Sequence, residues 1–247
     1  MRIFRGIRYL LFGNQIQKRR ARLELARIAA SLFGNFYLNE DYQRWRDDSD
    51  FLLQYKKLSP ESPYSQDRKY IVRELTRLTH DLDGEMAECG CYQGATAWFI
   101  ANENRNVNLH LFDSFQGLSE PGVDDELEET GTHFWNKGIL SSTEEQTKKT
   151  LQEFNHVHYH KGWIPDKFSA VEDIVFKLIH IDVDLYQPTL DSIRFFYPRM
   201  IKNGIIILDD YGFKTCPGAY KAVNEFMSDK PEYIVNLTSG QGLIIKQ

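Results

Sequence analysis

The chain has 247 residues, of which 42% are hydrophobic and 26% are charged, and its formal net charge is −5. This length suits one sizeable α/β domain with an N-terminal appendage, and the composition is ordinary for a globular protein. The negative charge argues against a nucleic-acid binder. No apolar run reaches the roughly 18 residues of a membrane span, and the N-terminal apolar stretch is too short for a signal-peptide core.

Charge is distributed unevenly along the chain. Residues 1–27 carry eight Lys or Arg and one Glu, which makes this arm +7 and leaves the remainder at −12. A basic arm on an acidic body suggests contact with an anionic membrane surface, a partner subunit or an acidic substrate. A solvated basic helix packed beside the domain is an equally weighted interpretation.

The three cysteines, Cys89, Cys91 and Cys216, do not form a disulfide framework. Cys89 and Cys91 lie where a strand gives way to a loop, and no further ligands with zinc-site spacing accompany them. The expectation is therefore reduced cysteines and a cytoplasmic setting.

The first predicted elements are helical. Apolar spacing predicts a helix over residues 16–33, with Gly34 and Asn35 as its stop, and a weaker pattern predicts another over residues 50–57. We assign residues 1–65 to an N-terminal helical extension and residues 66–247 to the main domain.

The main domain opens with a predicted helix over residues 68–78, after which strands alternate with helices. Strands are predicted at 85–88, 108–112, 156–160, 176–181, 205–208, 233–236 and 242–246, and helices at 95–102, 143–154, 189–197 and 220–227. This order predicts an α/β fold with a doubly wound, mostly parallel seven-stranded sheet whose last two strands form an antiparallel hairpin. Ligands of such sheets bind beyond the carboxyl ends of the strands.

A glycine turn follows the first predicted strand. Residues 88–94 (ECGCYQG) have the form E-x-G-x-x-x-G, in which Gly90 and Gly94 allow a tight turn and close approach to a ligand. Asp113 ends the second strand, where a carboxylate accepts hydrogen bonds from ribose hydroxyls. Together they favour a nucleoside cofactor; a ligand-free turn and a helix-capping Asp113 are the alternatives.

Carboxylates also end two later strands. Asp182 and Asp184 follow the fourth strand, and Asp209 and Asp210 follow the fifth. Adjacent parallel strands lie roughly 5 Å apart, so Asp182 and Asp209, with Asp210 beside them, are expected to converge. Clustered carboxylates repel one another unless a cation lies between them, and all-oxygen ligation suits Mg²⁺. The alternative is helix capping by Asp184 and Asp210, with Asp182 in an ordinary ion pair.

These blocks resemble the macrocin O-methyltransferase family. The resemblance rests on residues 181–189 (IDVDLYQPT), 203–211 (NGIIILDDY) and 112–118 (FDSFQGL), with a weaker block at 161–166 (KGWIPD). It covers about residues 85–227. It implies a Rossmann-like class I methyltransferase that uses S-adenosylmethionine (SAM) and a divalent ion such as Mg²⁺ to methylate a hydroxyl, typically on a sugar of a glycosylated natural product.

The same resemblance implies the roles of individual residues. It makes Asp182, Asp209 and Asp210 metal ligands and Asp182 also the candidate general base. The implied cofactor contacts are Glu88, Gly90, Tyr92, Gly94, Asp113, Ser114, Gly162, Trp163 and Asp182. It also favours a homo-oligomer built through the N-terminal helices.

Two histidines and an acidic segment are further candidates for a role at the site. Residues 120–129, which hold six acids, and the following residues 131–135 are expected to form a lid, and the charge of this segment disfavours a polyanionic substrate. His133, in its second part, is an alternative base or a solvent-exposed loop residue. His180, inside a strand, is interpreted as a satisfied core histidine.

Three other functions remain open from the sequence. A dinucleotide-dependent oxidoreductase has a similar sheet, but the G-x-G-x-x-G fingerprint is missing. A catechol-type O-methyltransferase shares the fold and the metal. A non-catalytic SAM-binding protein is the third possibility, although the intact acidic residues favour retained chemistry.

Overall fold

The structure, a computed structural model, describes residues 2–33, 43–59 and 65–247. The chain forms two compact units, Met1–Lys56 and Lys57–Gln247. The N-terminal extension predicted from the sequence runs to residue 65, whereas the first compact unit ends at Lys56. The assignment of the two parts as separate domains stays a prediction. The helix stop predicted at Gly34 and Asn35 lies outside the described residues.

The first unit is helical. Helix α1 spans Arg2–Phe12, α2 spans Gln15–Phe33, and α3 spans Ser49–Leu58, so that its last two residues belong to the second unit. The predictions for residues 16–33 and 50–57 are thereby confirmed, whereas α1 was not assigned as a helix from the sequence. Asp48 caps α3, because its Oδ1 accepts the N–H of Phe51 at 2.9 Å.

The second unit alternates strands with helices as predicted. In chain order it contains α4 (Gln66–Leu78), β1 (Glu85–Cys89), α5 (Ala95–Glu103), β2 (Leu109–Asp113), α6 (Glu144–Thr150), β3 (Val157–Lys161), β4 (Phe176–Ile181), α7 (Tyr186–Phe196), β5 (Met200–Leu208), α8 (Pro217–Met227), β6 (Val235–Asn236) and β7 (Gly242–Ile245).

The seven strands form one sheet in the order β3-β2-β1-β4-β5-β7-β6. The first five pair in parallel, and β7 runs antiparallel to both β5 and β6. The chain order reverses direction beside β1, so β1 and β4 are neighbours and their carboxyl ends flank the switch point at which such sheets bind ligands. The predicted fold class, including the antiparallel hairpin, is confirmed.

Buried strands and aromatic packing hold the sheet together. All six residues of β4 are buried, as expected for a central parallel strand covered on both faces. Phe196 of α7 is fully buried and packs edge-on against Phe112 at 5.8 Å and Phe176 at 5.1 Å between ring centroids. This packing fixes α7, and with it the loop that carries the acids after β4.

Several predicted boundaries differ from the structure. The largest difference is in β5, which begins at Met200 rather than residue 205, and α8 begins at Pro217 rather than residue 220. Helix α6 begins where expected, because Thr143 and Gln146 form a reciprocal capping box, but it ends at Thr150 rather than residue 154. Helix α7 begins at Tyr186 rather than residue 189. Pro188 lies in its first turn, where a missing N–H is tolerated.

Candidate active site

A cavity of about 1120 Å³ opens at the carboxyl ends of β1, β2, β4 and β5. Its wall contains Asp182, which is predicted both as a SAM contact and as a metal ligand, and the acid Asp210, together with six further residues predicted to hold SAM. The six are Gly90, Tyr92, Asp113, Ser114, Gly162 and Trp163. Among the described residues, three predicted ones do not line it, namely Glu88, Gly94 and Asp209.

The glycine turn brings β1 and β4 into close contact. Gly90 adopts φ +78°, and a Cβ built there would lie 1.8 Å from the carbonyl oxygen of Asp182. The Gly90 N–H donates to Phe112 O at 2.8 Å, and the Asp182 N–H donates to Cys89 O at 2.9 Å. Only glycine fits this crossing, which places the turn and Asp182 in one wall.

Asp113 organises the turn from the end of β2. Its Oδ2 accepts the N–H groups of Cys91 and Tyr92, both at 2.9 Å, and its Oδ1 accepts that of Phe115 at 2.7 Å. A carboxylate offers about four acceptor positions, so three backbone bonds leave room for roughly one more donor. Asp113 therefore shapes the loop first and has limited capacity for a ribose hydroxyl.

The block after β3 adjoins Asp113. Gly162 donates its N–H to Asp113 O at 3.0 Å, and both Gly162 and Trp163 line the cavity. Ser114 accepts the N–H of Gln116 at 3.0 Å, which turns the chain into the cavity wall. The structure thus brings the residues at the ends of β1, β2 and β3 together as predicted.

Behind the cavity lies a buried chain of charged groups. His180 is fully buried, with Nδ1 at 2.9 Å from Glu88 Oε1 and Nε2 at 3.3 Å from Asp209 Oδ1. Burial alone would lower the pKa of His180, but these two hydrogen bonds raise it to about 10. Each ring nitrogen of His180 thus faces one acidic side chain.

Both carboxylate oxygens of Asp209 have hydrogen-bond or ion-pair partners. Besides His180, Oδ1 accepts the side-chain amide of Gln241 at 2.8 Å, while Oδ2 forms an ion pair with the guanidinium of Arg68. Burial opposes ionisation of Asp209, but the hydrogen bond from His180 and the charge of Arg68 keep its pKa below the ordinary range. Asp209 is a carboxylate at neutral pH.

The predicted acidic trio falls into two neighbouring groups. Ligand atoms of Asp182, Asp209 and His180 lie within 4.8 Å of one another, as do those of Asp210, Asp184 and Cys216. Asp210 Oδ2 accepts the N–H of Asp184 at 2.9 Å. The structure therefore unites Asp182 with Asp209 directly and places Asp210 beside them.

The acids carry more negative charge than the nearby cations balance. Burial and then the charge of Asp209 raise the pKa of Asp182, and burial followed by Asp184 and Asp182 raises that of Asp210. Such shifts mark carboxylates that lack enough positive charge around them. The oxygen-rich donor set and this deficit both fit a hard divalent cation.

The segment between β2 and α6 forms another part of the cavity wall. Leu118, Glu120 and Trp135 line the cavity, and Trp135 donates its indole N–H to Cys216 Sγ at 3.3 Å. Buried Asp125 anchors the segment, because its Oδ1 accepts the N–H of Tyr186 at 2.7 Å. Its role as a moving lid stays a prediction.

The sequence patterns did not single out Arg68 or Gln241, whereas Trp135 lies in the segment predicted to form a lid. His180 is satisfied and buried, as interpreted, but it also joins two acids at the site. His133 is exposed, bonds to Gly122 O at 2.9 Å and does not line the cavity. Arg68 had one available signal: a cation in the first turn of a helix opposes the helix dipole.

The strand order and the glycine turn together define the class of protein. A parallel sheet with the order 3-2-1-4-5-7-6, an antiparallel seventh strand and a glycine turn after β1 constitute the class I methyltransferase fold.

The model of the Macrocin-O-methyltransferase (TylF) family matches residues 69–232. The chain belongs to this family.

Curated relatives are similar at low identity. A tetracenomycin-type 4'-O-methyltransferase, 8-demethyl-8-(2,3-dimethoxy-alpha-L-rhamnosyl)-tetracenomycin-C 4'-O-methyltransferase of Streptomyces olivaceus, is 27% identical over 58% of this chain and 59% of its own length. Demethyldecarbamoylnovobiocin O-methyltransferase of Streptomyces niveus is 25% identical over 60% of each chain. The match thus spans about three fifths of these relatives.

Solved structures support the fold. The O-methyltransferase NovP superposes with a TM-score of 0.66 at 20% identity, covering 80% of this chain and 98% of NovP. The calicheamicin methyltransferase CalS11 gives 0.62 at 16% identity, covering 85% and 99%. At these identities the similarity extends to the fold alone.

The Gly90 crossing yields a test with a matched control. We expect Gly90→Ala to lower the free energy of unfolding by at least about 2 kcal/mol, because the added Cβ meets backbone as well as a left-handed φ. Gly131 has φ +62° with nothing within 4 Å, so Gly131→Ala carries the conformational cost alone. Equal losses in urea unfolding of the two variants would contradict the crowding argument.

Proposed function

We propose that this chain is a SAM-dependent, divalent-metal-dependent O-methyltransferase that acts on a hydroxyl of a sugar in a glycosylated small molecule or glycan. One observation carries the proposal. A single cavity is lined both by the glycine turn with Asp113 and by Asp182, the acid nearest to the buried charged chain. This arrangement supports a site in which cofactor, acceptor and base would share one cavity.

The SAM site is assigned to residues that shape the cavity. Gly90 and Gly162 let the backbone approach the cofactor, and Asp113 offers its remaining acceptor position to the ribose. Glu88 and Gly94 act behind the wall: Glu88 bonds His180, and Gly94 is the left-handed residue that precedes α5. We therefore propose that Glu88 and Gly94 support the wall of the SAM site, in place of the direct contacts with SAM that were predicted for them.

Asp182 and Asp209 would hold the divalent metal, with Asp210 close enough to complete the set. When bound, such an ion lowers the pKa of a coordinated hydroxyl and orients it. Asp182 lines the cavity and takes the hydroxyl proton on its carboxylate. The hydrogen bonds that Asp209 receives from His180 and Gln241 keep its carboxylate fixed, so the geometry is set before the acceptor binds.

The acceptor class follows from the relatives and the wall. The Streptomyces olivaceus relative is named as the 4'-O-methyltransferase of a rhamnosyl compound. Here Trp135 and Phe213 give the cavity flat apolar surfaces suited to a sugar ring or an aglycone, and Glu120 disfavours a polyanionic acceptor. A catechol acceptor is the rival within the same chemistry.

Methyl transfer from labelled SAM to a panel of glycosides and catechols tests the proposal. We expect transfer to a glycoside hydroxyl, dependent on a divalent ion and reduced at least about 100-fold in Asp182→Asn, because the base is lost. Asp229→Asn is the control, since the Asp229 side chain is 76% exposed and outside the cavity. Transfer only to catechols would exclude the sugar acceptor; equal rates in the two variants would exclude Asp182 as the base.

The N-terminal helices are proposed to bind an anionic membrane surface, with a second copy of the chain as the competing occupant. The sequence of helix α1 contains Arg2, Arg5 and Arg8, and its apolar side chains Leu11 and Ile7 are 63% and 48% exposed. None of the described helices is long and apolar enough to cross a membrane. A basic helix with an uncovered apolar face fits peripheral attachment to anionic lipid.

Co-sedimentation of the full chain with vesicles checks this attachment. We expect binding to equimolar phosphatidylcholine and phosphatidylglycerol but not to phosphatidylcholine alone, since each arginine near an anionic surface contributes about 1 kcal/mol. Leu11→Asp with Phe12→Asp should abolish binding. Leu78→Asp with Tyr233→Asp, at positions 68% and 81% exposed in the other unit, should not.

The alternative has its own signature. Light scattering would then show an oligomer that forms without vesicles and that the Leu11 and Phe12 changes convert to monomer. Together with a lack of vesicle binding by the unmodified chain, this result would assign α1 to contact with a second copy.

All three cysteines are free and buried, and the cytoplasmic setting stays a prediction.

A further inference from the structure

The most constrained cation in the cavity wall is Arg68 of α4. Its guanidinium pairs with Asp209 Oδ2, and its charge also interacts with Asp182 and Asp210. These are the three carboxylates assigned above to the divalent metal. Arg68 therefore stands where positive charge is needed, although neither the residue patterns nor the family model, which begins at residue 69, includes it.

Oδ2 is the oxygen of Asp209 that is left for a metal bond, and Arg68 already occupies one of its two acceptor positions. Asp209 Oδ1 already accepts from His180 and Gln241, both fully buried side chains that are fixed by the sheet. A cation that approaches from the cavity must use Oδ2, where Arg68 is bonded. A guanidinium and a divalent ion at one oxygen repel each other strongly in a poorly hydrated site.

We propose that Arg68 is a resident counter-ion that competes with the divalent metal for Asp209 and so sets the metal affinity of the site. The proposal rests on the metal-dependent function proposed above. Arg68 neutralises the acids before the ion arrives, and it is displaced from Oδ2 when the ion binds.

The displaced side chain has a place to go. The Arg68 guanidinium lies 5.1 Å from the ring centroid of Phe213, which also lines the cavity, and the Arg68 side chain is 26% exposed. A guanidinium on an aromatic face retains a favourable interaction after its carboxylate partner is lost. It then presents N–H donors to the cavity, where acceptor oxygens would lie.

Lys69 provides a matched control. It is the next residue in α4, lines the same cavity and carries the same charge, which acts on Asp209 through space. Its Nζ hydrogen-bonds Ser65 Oγ at 3.4 Å rather than Asp209. Removing Lys69 therefore changes the general electrostatic attraction for a cation without freeing a ligand oxygen.

Calorimetric titration of Mg²⁺ and Mn²⁺ into the full chain tests the competition without any measurement of turnover. We expect Arg68→Met to bind the ion at least about tenfold more tightly than the unmodified chain, equivalent to about 1.4 kcal/mol. Lys69→Met should change the affinity by less than about threefold, because only a through-space charge is lost. Arg68→Lys, which keeps the charge but loses the planar guanidinium, should fall between the two and guards against misfolding of Arg68→Met.

The outcomes separate this inference from the proposed function. Unchanged or weaker ion binding in both Arg68 variants, or an equal gain in Lys69→Met, overturns the competition while the metal site stands. Absence of ion binding to the unmodified chain and to every variant overturns both. A selective gain in the Arg68 variants, with a smaller stability of the ion-free Arg68→Met in urea, supports the inference.

Discussion

The concentration of carboxylates at the ends of β4 and β5 is the constraint on which the site depends. Buried like charges are costly unless cations and hydrogen bonds compensate them. Three side chains provide this compensation. His180 lies between Glu88 and Asp209, Gln241 donates a hydrogen bond to Asp209 Oδ1, and Arg68 forms an ion pair with Asp209 Oδ2. The positions of α4, the β7 hairpin and the central strands all serve this compensation.

The same constraint links the cofactor side of the cavity to the acidic side. Gly90 lies so close to the carbonyl of Asp182 that a Cβ there would come within 1.8 Å of its oxygen, which brings the ends of β1 and β4 into direct contact. Asp113 then ties the turn after β1 to the end of β2. A methyl donor and an acceptor hydroxyl need mutual alignment to within fractions of an ångström, and these backbone contacts supply the rigid frame.

The sequence predicted the sheet, the glycine turn and the acids because each depends on local alternation and on parallel strands sharing an edge. It did not predict Arg68 or Gln241, since 141 and 32 residues separate them from Asp209 and no periodic pattern joins them. The grouping of Asp210 with Asp184 and Cys216 also escaped, because adjacent residues after a strand point in different directions. Helix α1 was missed since Gly6 interrupts a short apolar pattern.

The most direct test of the account is calorimetric titration of SAM into the full chain with Mg²⁺ present and again after removal of the ion with EDTA. The account predicts SAM binding in the micromolar range under both conditions and a separate heat of Mg²⁺ binding, because the glycine turn and the acids are distinct parts of one cavity. SAM binding without any metal heat would retain the fold and contradict the mechanism. A chain that binds no SAM in either buffer would contradict the central claim.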